Sequence, residues 1–294
     1  NIIAPAADLV TVSGGNASRV FSVNSGATAT LSGMTITGGN GSGGGGGAIN
    51  VFSPNTTLNL SRSRISGNSV TNGNGGGLLN SDNAVVNISD STFANNTSTF
   101  NGGAIQNETA TLMTIRNTTI SGNTSNSSSP LGGGGIHQTG TGTLTITNST
   151  ITNNTAAGNG GGVRMAMGSI NVRNTIIAGN IDTSGGNAPN IFGTFVSNGF
   201  NLIGNSAGGS GFTNGVNSDQ VGSAAMVLNP GLASLTLNGG QTPTHALLFG
   251  SPALDTGNSS GLTSDQRGLT RPIDLAGITN TSDASDIGAF EAQT

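Results

Sequence analysis

The chain contains no cysteine, tryptophan, tyrosine or lysine, and its rings are ten phenylalanines and two histidines. Each absence removes a class of protein. Without cysteine there is neither a disulfide framework nor a thiolate metal site. A nucleic-acid partner needs a basic stripe, yet only 7% of residues are charged, all eight cations are arginine and the net charge is −4. No apolar run approaches the roughly twenty residues that cross a bilayer as a helix. Hydrophobic residues make up 33% of the chain and glycine numbers 51. On composition alone an ordinary globular core is poorly supplied, and disorder is the default expectation.

Repetition overturns that default. The stretch Leu58-Asn59-Leu60-Ser61-Arg62-Ser63-Arg64-Ile65-Ser66-Gly67-Asn68 states a phrase that recurs along the chain. It has two apolar residues two apart, a third five further on, and an asparagine three beyond that. Val86, Ile88, Phe93 and Asn96 repeat it, as do Met113, Ile115, Ile120 and Asn123, then Leu144, Ile146, Ile151 and Asn154, then Ile170, Val172, Ile177 and Asn180; Ala29, Leu31 and Ile36 are a looser copy. The third apolar position falls at residues 36, 65, 93, 120, 151 and 177, a period of 26 to 31 residues. A fixed period of this size marks a solenoid. Period-two apolar spacing with abundant Thr, Ile and Val marks strands. The expected fold is all-β: a right-handed parallel β-helix with three short strands per turn. One turn cannot bury its own inward row, but turns stacked about 4.8 Å apart line these rows into columns. Asn68, Asn96, Asn123, Asn154 and Asn180 then form an amide ladder, Ser63, Ser91, Thr118, Ser149 and Thr175 a hydroxyl row, and Asn117, Asn148 and Asn174 a second amide column entered by Arg62 and Asp90.

Residues 1–28 read as a first coil with no helical cap, whose open edge invites another copy of the chain. The variable loops 69–76, 97–102, 124–133 and 155–160 are expected to project from one side. Beyond Asn180 the phrase loosens through Ile203. From about residue 205 the repeats vanish, prolines gather at 230, 243, 252 and 272, and seven of the twelve acidic residues lie in 219–294. The organisation read from this is a β-helix over 1–205 and an irregular segment over 206–294 packed on its end.

Several blocks of that segment carry a resemblance. Asn238-Gly239-Gly240-Gln241-Thr242-Pro243-Thr244-His245-Ala246-Leu247-Leu248, Gly250-Ser251-Pro252-Ala253-Leu254-Asp255, Asp265-Gln266-Arg267-Gly268, Arg271-Pro272-Ile273-Asp274 and Asp286-Ile287-Gly288-Ala289-Phe290-Glu291 resemble, in order, the C-terminal module of bacterial "choice-of-anchor Q" β-helix proteins over residues 190–291. The Gly-Gly-Ala-Ile phrase at 46–49 and 102–105 and Phe93-Ala94-Asn95-Asn96 are similar, less specifically, to repeats of polymorphic outer-membrane adhesins. The resemblance implies a secreted or surface-displayed bacterial protein and carries no agreed enzymatic activity.

Candidate chemistry comes from aligning the glycine phrases Gly47-Ala48-Ile49, Gly77-Leu78-Leu79, Gly103-Ala104-Ile105, Gly134-Gly135-Ile136 and Gly161-Gly162-Val163. That alignment stacks Asp82 on Glu108 and places Asn50, Asn80, Gln106, His137 and Arg164 in one outward row. Two carboxylates, a histidine and an arginine on one face suit polysaccharide hydrolysis or lysis, and a retaining glycosidase holds its carboxyls about 5–5.5 Å apart. The alternative is a solvated outward face, favoured by the lack of Trp and Tyr for stacking on sugars. Asp255, Asp265, Asp274, Asp283 and Asp286 are the candidate Ca²⁺ ligands, although their spacing fits no calcium-loop motif. Arg62 and Asp90 are expected to pair, Arg267 and Arg271 to pair with Asp286 or Glu291, and His245 to be a hydrogen-bonded turn residue. The function expected is an extracellular structural or adhesive rod, without cofactor, partnered by its own copies or by surface glycans. The rivals are a polysaccharide-active enzyme, and a glycan- or host-binding module that uses the projecting loops.

Overall fold

Each copy of the phrase folds the same way because its apolar residues alternate. In Val85–Ser89, Val86 and Ile88 are buried while Val85, Asn87 and Ser89 are half-buried, which is the burial of a strand with one face on a core. In the computed structural model, which describes residues 1–127 and 131–293, these strands build a parallel β-helix. Its first sheet has eight strands: Ile2–Ile3, Thr28–Ser32, Thr57–Ser61, Val85–Ser89, Leu112–Arg116, Thr143–Thr147, Ser169–Arg173 and Val196–Ser197. The second has nine, from Thr11–Ser13 through Arg64–Ser66, Thr92–Ala94, Thr119–Ser121 and Thr150–Thr152 to Gln220–Val221. The third has eight, from Phe21–Val23 through Leu78–Asn80, Ile105–Asn107, Ile136–Gln138 and Val163–Met165 to Gly209–Ser210. A fourth, of five two-residue strands from Ser69–Val70 to Ile181–Asp182, was not expected from the sequence.

The expected columns form. Ile36, Ile65, Phe93, Ile120, Ile151 and Ile177 are partners coil upon coil, as are Leu58, Val86, Met113, Leu144 and Ile170. All belong to one continuous apolar core, and each fully buried side chain of this size contributes about 1.5–3 kcal/mol. The amide ladder closes too. The Nδ2 of Asn68, Asn96, Asn123 and Asn154 donates to the Oδ1 of the next asparagine at 2.9, 2.9, 2.8 and 2.9 Å. A second Nδ2 bond from Asn96 to Ile65 O and from Asn123 to Phe93 O leaves the buried amides satisfied. Arg62, Asp90, Asn117, Asn148 and Asn174 turn the corner between the first and second sheets with φ between 45° and 51°, the left-handed conformation that asparagine tolerates. Of the expected ladder one step forms, Asn117 Nδ2 donating to Asp90 Oδ1 at 3.2 Å; Asn148 makes no amide bond, and Asn117 and Asn174 also donate to the C-terminal segment.

Two boundaries differ from expectation. Coil pairing continues past residue 205, through Gly209–Ser210 and Gln220–Val221. The remaining segment lies along the flank of the helix instead of on its end. Thr92 Oγ1 donates to Pro243 O (2.6 Å), Thr119 Oγ1 to Gln266 Oε1 (2.6 Å) and Asn174 Nδ2 to Asp286 O (3.0 Å), and Ala289 N donates to Thr150 Oγ1 (3.1 Å). A second apolar cluster of Ile176, Ala178, Leu202, Ala253 and Ile287 fastens this strap. The glycine-rich loops do not project freely either. Gly76 N donates to Gly102 O, Gly103 N to Gly133 O and Gly134 N to Gly160 O, so much of each loop is stacked on its neighbour. Part of the 124–133 loop lies outside the described residues.

Candidate functional site

The outward row of the third sheet is the first candidate, and its register differs by one residue from the sequence alignment. Leu78 pairs with Ile49 and Ile105, so Leu79, not Asn80, stands between Asn50 and Gln106. Gly77 takes the place of Ala48 and Ala104. Continuing the register sets Glu108 beside Ser81 and Asp82 beside Thr109, and Asp82 and Thr109 share a turn with φ of 54° and 55°. The expected stack of two carboxylates does not form. A one-residue shift also reverses inside and outside, so Asn80 points into the coil. It begins an interior amide chain that the sequence reading missed: Asn80 Nδ2 donates to Asn107 Oδ1 (2.8 Å), Asn107 Nδ2 to Gln138 Oε1 (2.5 Å) and Gln138 Nε2 to Gly140 O (3.0 Å).

Of the outward residues, Glu108 accepts from Asn74 Nδ2 at 3.0 Å. Burial raises its pKa and the charge of Asp82 adds to the rise, against the bonds from Asn74 and Gln106. His137 and Arg164 come together one coil apart, with Arg164 Nε donating to His137 Nε2 at 3.1 Å and the guanidinium 4.9 Å from the Phe192 ring. Burial, then the Arg164 charge, pushes the imidazole down to about 3. A fully buried, neutral histidine whose Nε2 already accepts a hydrogen bond is poorly placed to shuttle a proton. Glycine loops lie over this row: a Cβ on Gly133 would meet His137 Cβ at 2.7 Å.

The strap holds the candidate calcium ligands, and backbone donors occupy most of them. Asp265 accepts from Arg267 N and Glu291 N, and Asp286 from Asp255 N and Ala292 N. Asp283 accepts from Ser259 and Ser285; burial alone would raise its pKa, but these bonds outweigh it and lower the value. Asp255 accepts from Leu275 N, and Asp274 contributes only its charge nearby. Among the described residues the five gather no group of three possible metal ligands. Arg271 pairs as expected with Glu291, Nε to Oε2 at 2.7 Å with both side chains buried, whereas Arg267 pairs with Asp265. Arg62 and Asp90 do not pair: Arg62 donates to Ser32 Oγ, and Asp90 accepts from Asn117 Nδ2. His245 is hydrogen-bonded at both nitrogens. Its Nδ1–H donates to Ala233 O (2.6 Å), which fixes Nε2 as the acceptor of Ser121 O–H at 2.9 Å, and burial lowers its pKa.

The outward face of the first sheet is a second candidate, which the sequence reading passed over. A trough of about 540 Å³ lies across four of its coils, lined by Asn59, Asn87, Thr114 and Thr145 in one file and Ser61, Ser89, Arg116 and Thr147 in the next. The signal was present in the alternation itself, as in Thr143-Leu144-Thr145-Ile146-Thr147. Comparison with known families, curated proteins and solved structures returns no match. The fold therefore defines the class, a parallel β-helix, and the residues must carry any reading of function.

Proposed function

We propose that the chain is an extracellular, non-enzymatic β-helical rod serving as adhesive or structural material at a bacterial surface. The observation that carries this reading is the apolar core that runs unbroken through the coils, with the Asn68-to-Asn180 amide ladder bonded from coil to coil beside it and a strap bonded along the flank. Such a body holds its shape without disulfides. The non-enzymatic part is supported by the dispersal of the candidate acids: Asp82 and Glu108 sit on different ranks, and His137 is closed against Arg164. Secretion and attachment to a surface are part of the proposal, resting on the sparsely charged, lysine-free composition and on the choice-of-anchor resemblance. Small-angle scattering that gives a rod cross-section, together with retention of beads coated with the chain on bacterial matrix, tests the reading. A globular scattering profile, or beads retained no better than uncoated ones, would refute it. Release of reducing sugar from a polysaccharide panel, abolished by Asp82→Asn with Glu108→Gln, would replace it with the enzymatic one.

Assembly into a fibre belongs to the same proposal. The outermost strands Ile2–Ile3, Thr11–Ser13 and Phe21–Val23 pair on one side only, and Ile2, Ile3 and Leu9 are exposed there. A head-to-tail contact at such an edge does not close and therefore propagates. Electron micrographs of concentrated protein that show only short single rods would reject it.

A further inference from the structure

We infer that the trough on the first sheet binds an acidic linear polysaccharide laid along the helix axis; the inference rests on the adhesive reading above and names its partner.

The trough offers two files of side chains with one residue of each file per coil, at a rise of about 4.8 Å. The groups are set in place before any ligand arrives. Asn87 Nδ2 donates to Asn59 Oδ1 and Thr114 Oγ1 to Asn87 Oδ1, both at 2.9 Å. Such preorganisation lowers the cost of binding. Groups remain to spare: Asn59 keeps its amide donors, and Thr145 and Thr147 keep their hydroxyls, none of them used within the chain. A ligand with hydroxyls at regular intervals matches a surface of hydroxyls and amides at regular intervals.

Charge decides which such ligand. Among the trough residues the one charged side chain is that of Arg116, which is exposed; its guanidinium makes no hydrogen bond or ion pair with the described residues, and no carboxylate lines the trough beside it. In a protein of net charge −4, an unengaged cation among neutral acceptors selects a carboxylated sugar over a neutral one through a charge-assisted bond.

The geometry also separates a polysaccharide from an extended acidic peptide. A peptide joins a sheet by pairing with an edge strand, but the trough lies on the face, where the central strands already pair on both sides. The second sheet shows how such a face is occupied: the hydroxyls of Thr92, Thr119, Ser121 and Thr150 all bond to the strap that runs along the coils, Thr92 twice. On the first sheet the strap reaches only Arg173, beyond the trough; among the described residues the trough side chains carry the same kind of lattice and bond to nothing outside their own sheet.

The test is titration calorimetry of the full chain with polygalacturonate, dextran and poly-glutamate, repeated on Arg116→Gln and on the double variant Asn59→Leu, Thr145→Val. All three positions are on the surface, and circular dichroism checks that each variant keeps its fold. Polygalacturonate binding that weakens about tenfold in Arg116→Gln and also in the double variant, with no binding of dextran, is the expected result. The inference is overturned by no polygalacturonate binding, by equal affinity in Arg116→Gln, by dextran binding as tightly, or by poly-glutamate binding instead. Coated beads that still adhere to matrix when Arg116→Gln is used would remove the trough and leave the adhesive rod standing; loss of all adhesion by the unaltered chain would remove the rod reading itself.

Discussion

Replacing His137 with glutamine tests the electrostatics of the third sheet. His137 is fully buried, its Nε2 accepts from Arg164 Nε, and its Nδ1 has no partner. Protonation would bury a second cation beside Arg164, which is why the imidazole is pushed down to about 3 from its ordinary 6.5. Between those values the unfolded chain binds a proton that the folded chain refuses. The folded state therefore has its full stability above pH 6.5 and loses it as pH falls toward 3. The slope is about 1.4 kcal/mol per pH unit, and the whole window amounts to about 5 kcal/mol. Glutamine keeps an acceptor for Arg164 and cannot titrate. Urea unfolding followed by circular dichroism at pH 7, 6, 5 and 4 should show the variant gaining on the parent by about 1.4 kcal/mol for each unit of acidification. A difference that stays constant over that range would refute the burial and pairing of His137 described above.

The same series reads a second group of opposite sign. Burial, then the Glu291 charge, holds the carboxyl of Asp286 up at about 7 from 3.8, so its proton stabilises the folded state below pH 4 and this contribution is lost as pH rises to 7. Between about pH 4 and 6.5 the His137 and Asp286 slopes cancel. Asp286→Asn should remove the opposing slope, so that stability climbs more steeply with pH than in the parent, and an unchanged profile would contradict the assignment.

Three further outcomes are expected. Asn123→Ala removes the acceptor of Asn96 N and Nδ2 and the donor to Phe93 O and Asn154, at a cost of about 3–5 kcal/mol in urea unfolding; Asn148→Gly, which loses an amide that makes no bond and keeps the left-handed φ of 48°, should cost under about 1 kcal/mol. Gly103→Ala would place a Cβ 2.2 Å from Gly134 O and lower the melting temperature by the equivalent of about 3 kcal/mol, while Gly44→Ala, with only the end of Arg19 within 4 Å, should change it little. Gln266→Ala removes the one partner of the Thr119 hydroxyl and one of the two partners of Thr92 and of Thr242, and limited proteolysis should then cut the strap before the coils.

Much of this architecture is legible in the chain, because a solenoid writes its core as a period. The columns through Ile65 and Leu58 follow from spacing two and five residues apart. The register of the third sheet does not. Gly75-Gly76-Gly77 accommodates two alignments, and glycine has no side chain to say which is inward. The alignment that matches Gly77 to Ala48 and Ala104 puts Leu78 in the core, and burial of that leucine decides it. The flank position of the strap had a sequence signal as well. Where the other copies open on a threonine or an arginine, as in Thr119-Ile120-Ser121 and Arg64-Ile65-Ser66, the sixth reads Ile176-Ile177-Ala178, apolar on both faces of its strand, so both faces are covered. The trough is legible only in part: alternation shows which side chains face outward, but not that the sheet they stand on is hollowed.

The strap changes how such a chain holds together. In a bare solenoid each coil touches only its neighbours, so stability is a sum of local terms and an end coil can fray without consulting the middle. Here bonds at sequence separations of 151 and 147 residues, Thr92 to Pro243 and Thr119 to Gln266, join successive coils to one segment, and that segment is closed on itself by the buried Arg271–Glu291 pair. Opening any of the coils from Thr92–Ala94 to Ile176–Ile177 then breaks strap contacts as well as the two stacking interfaces of that coil. A buried ion pair is weak support in itself, since desolvation offsets most of its attraction, but it is well suited to fixing one arrangement of the strap. The hydroxyl lattice of the second sheet supplies the vertical grip, the apolar patch of Ile176, Ala178 and Leu202 supplies the hydrophobic term, and the coils between are coupled into a single unit.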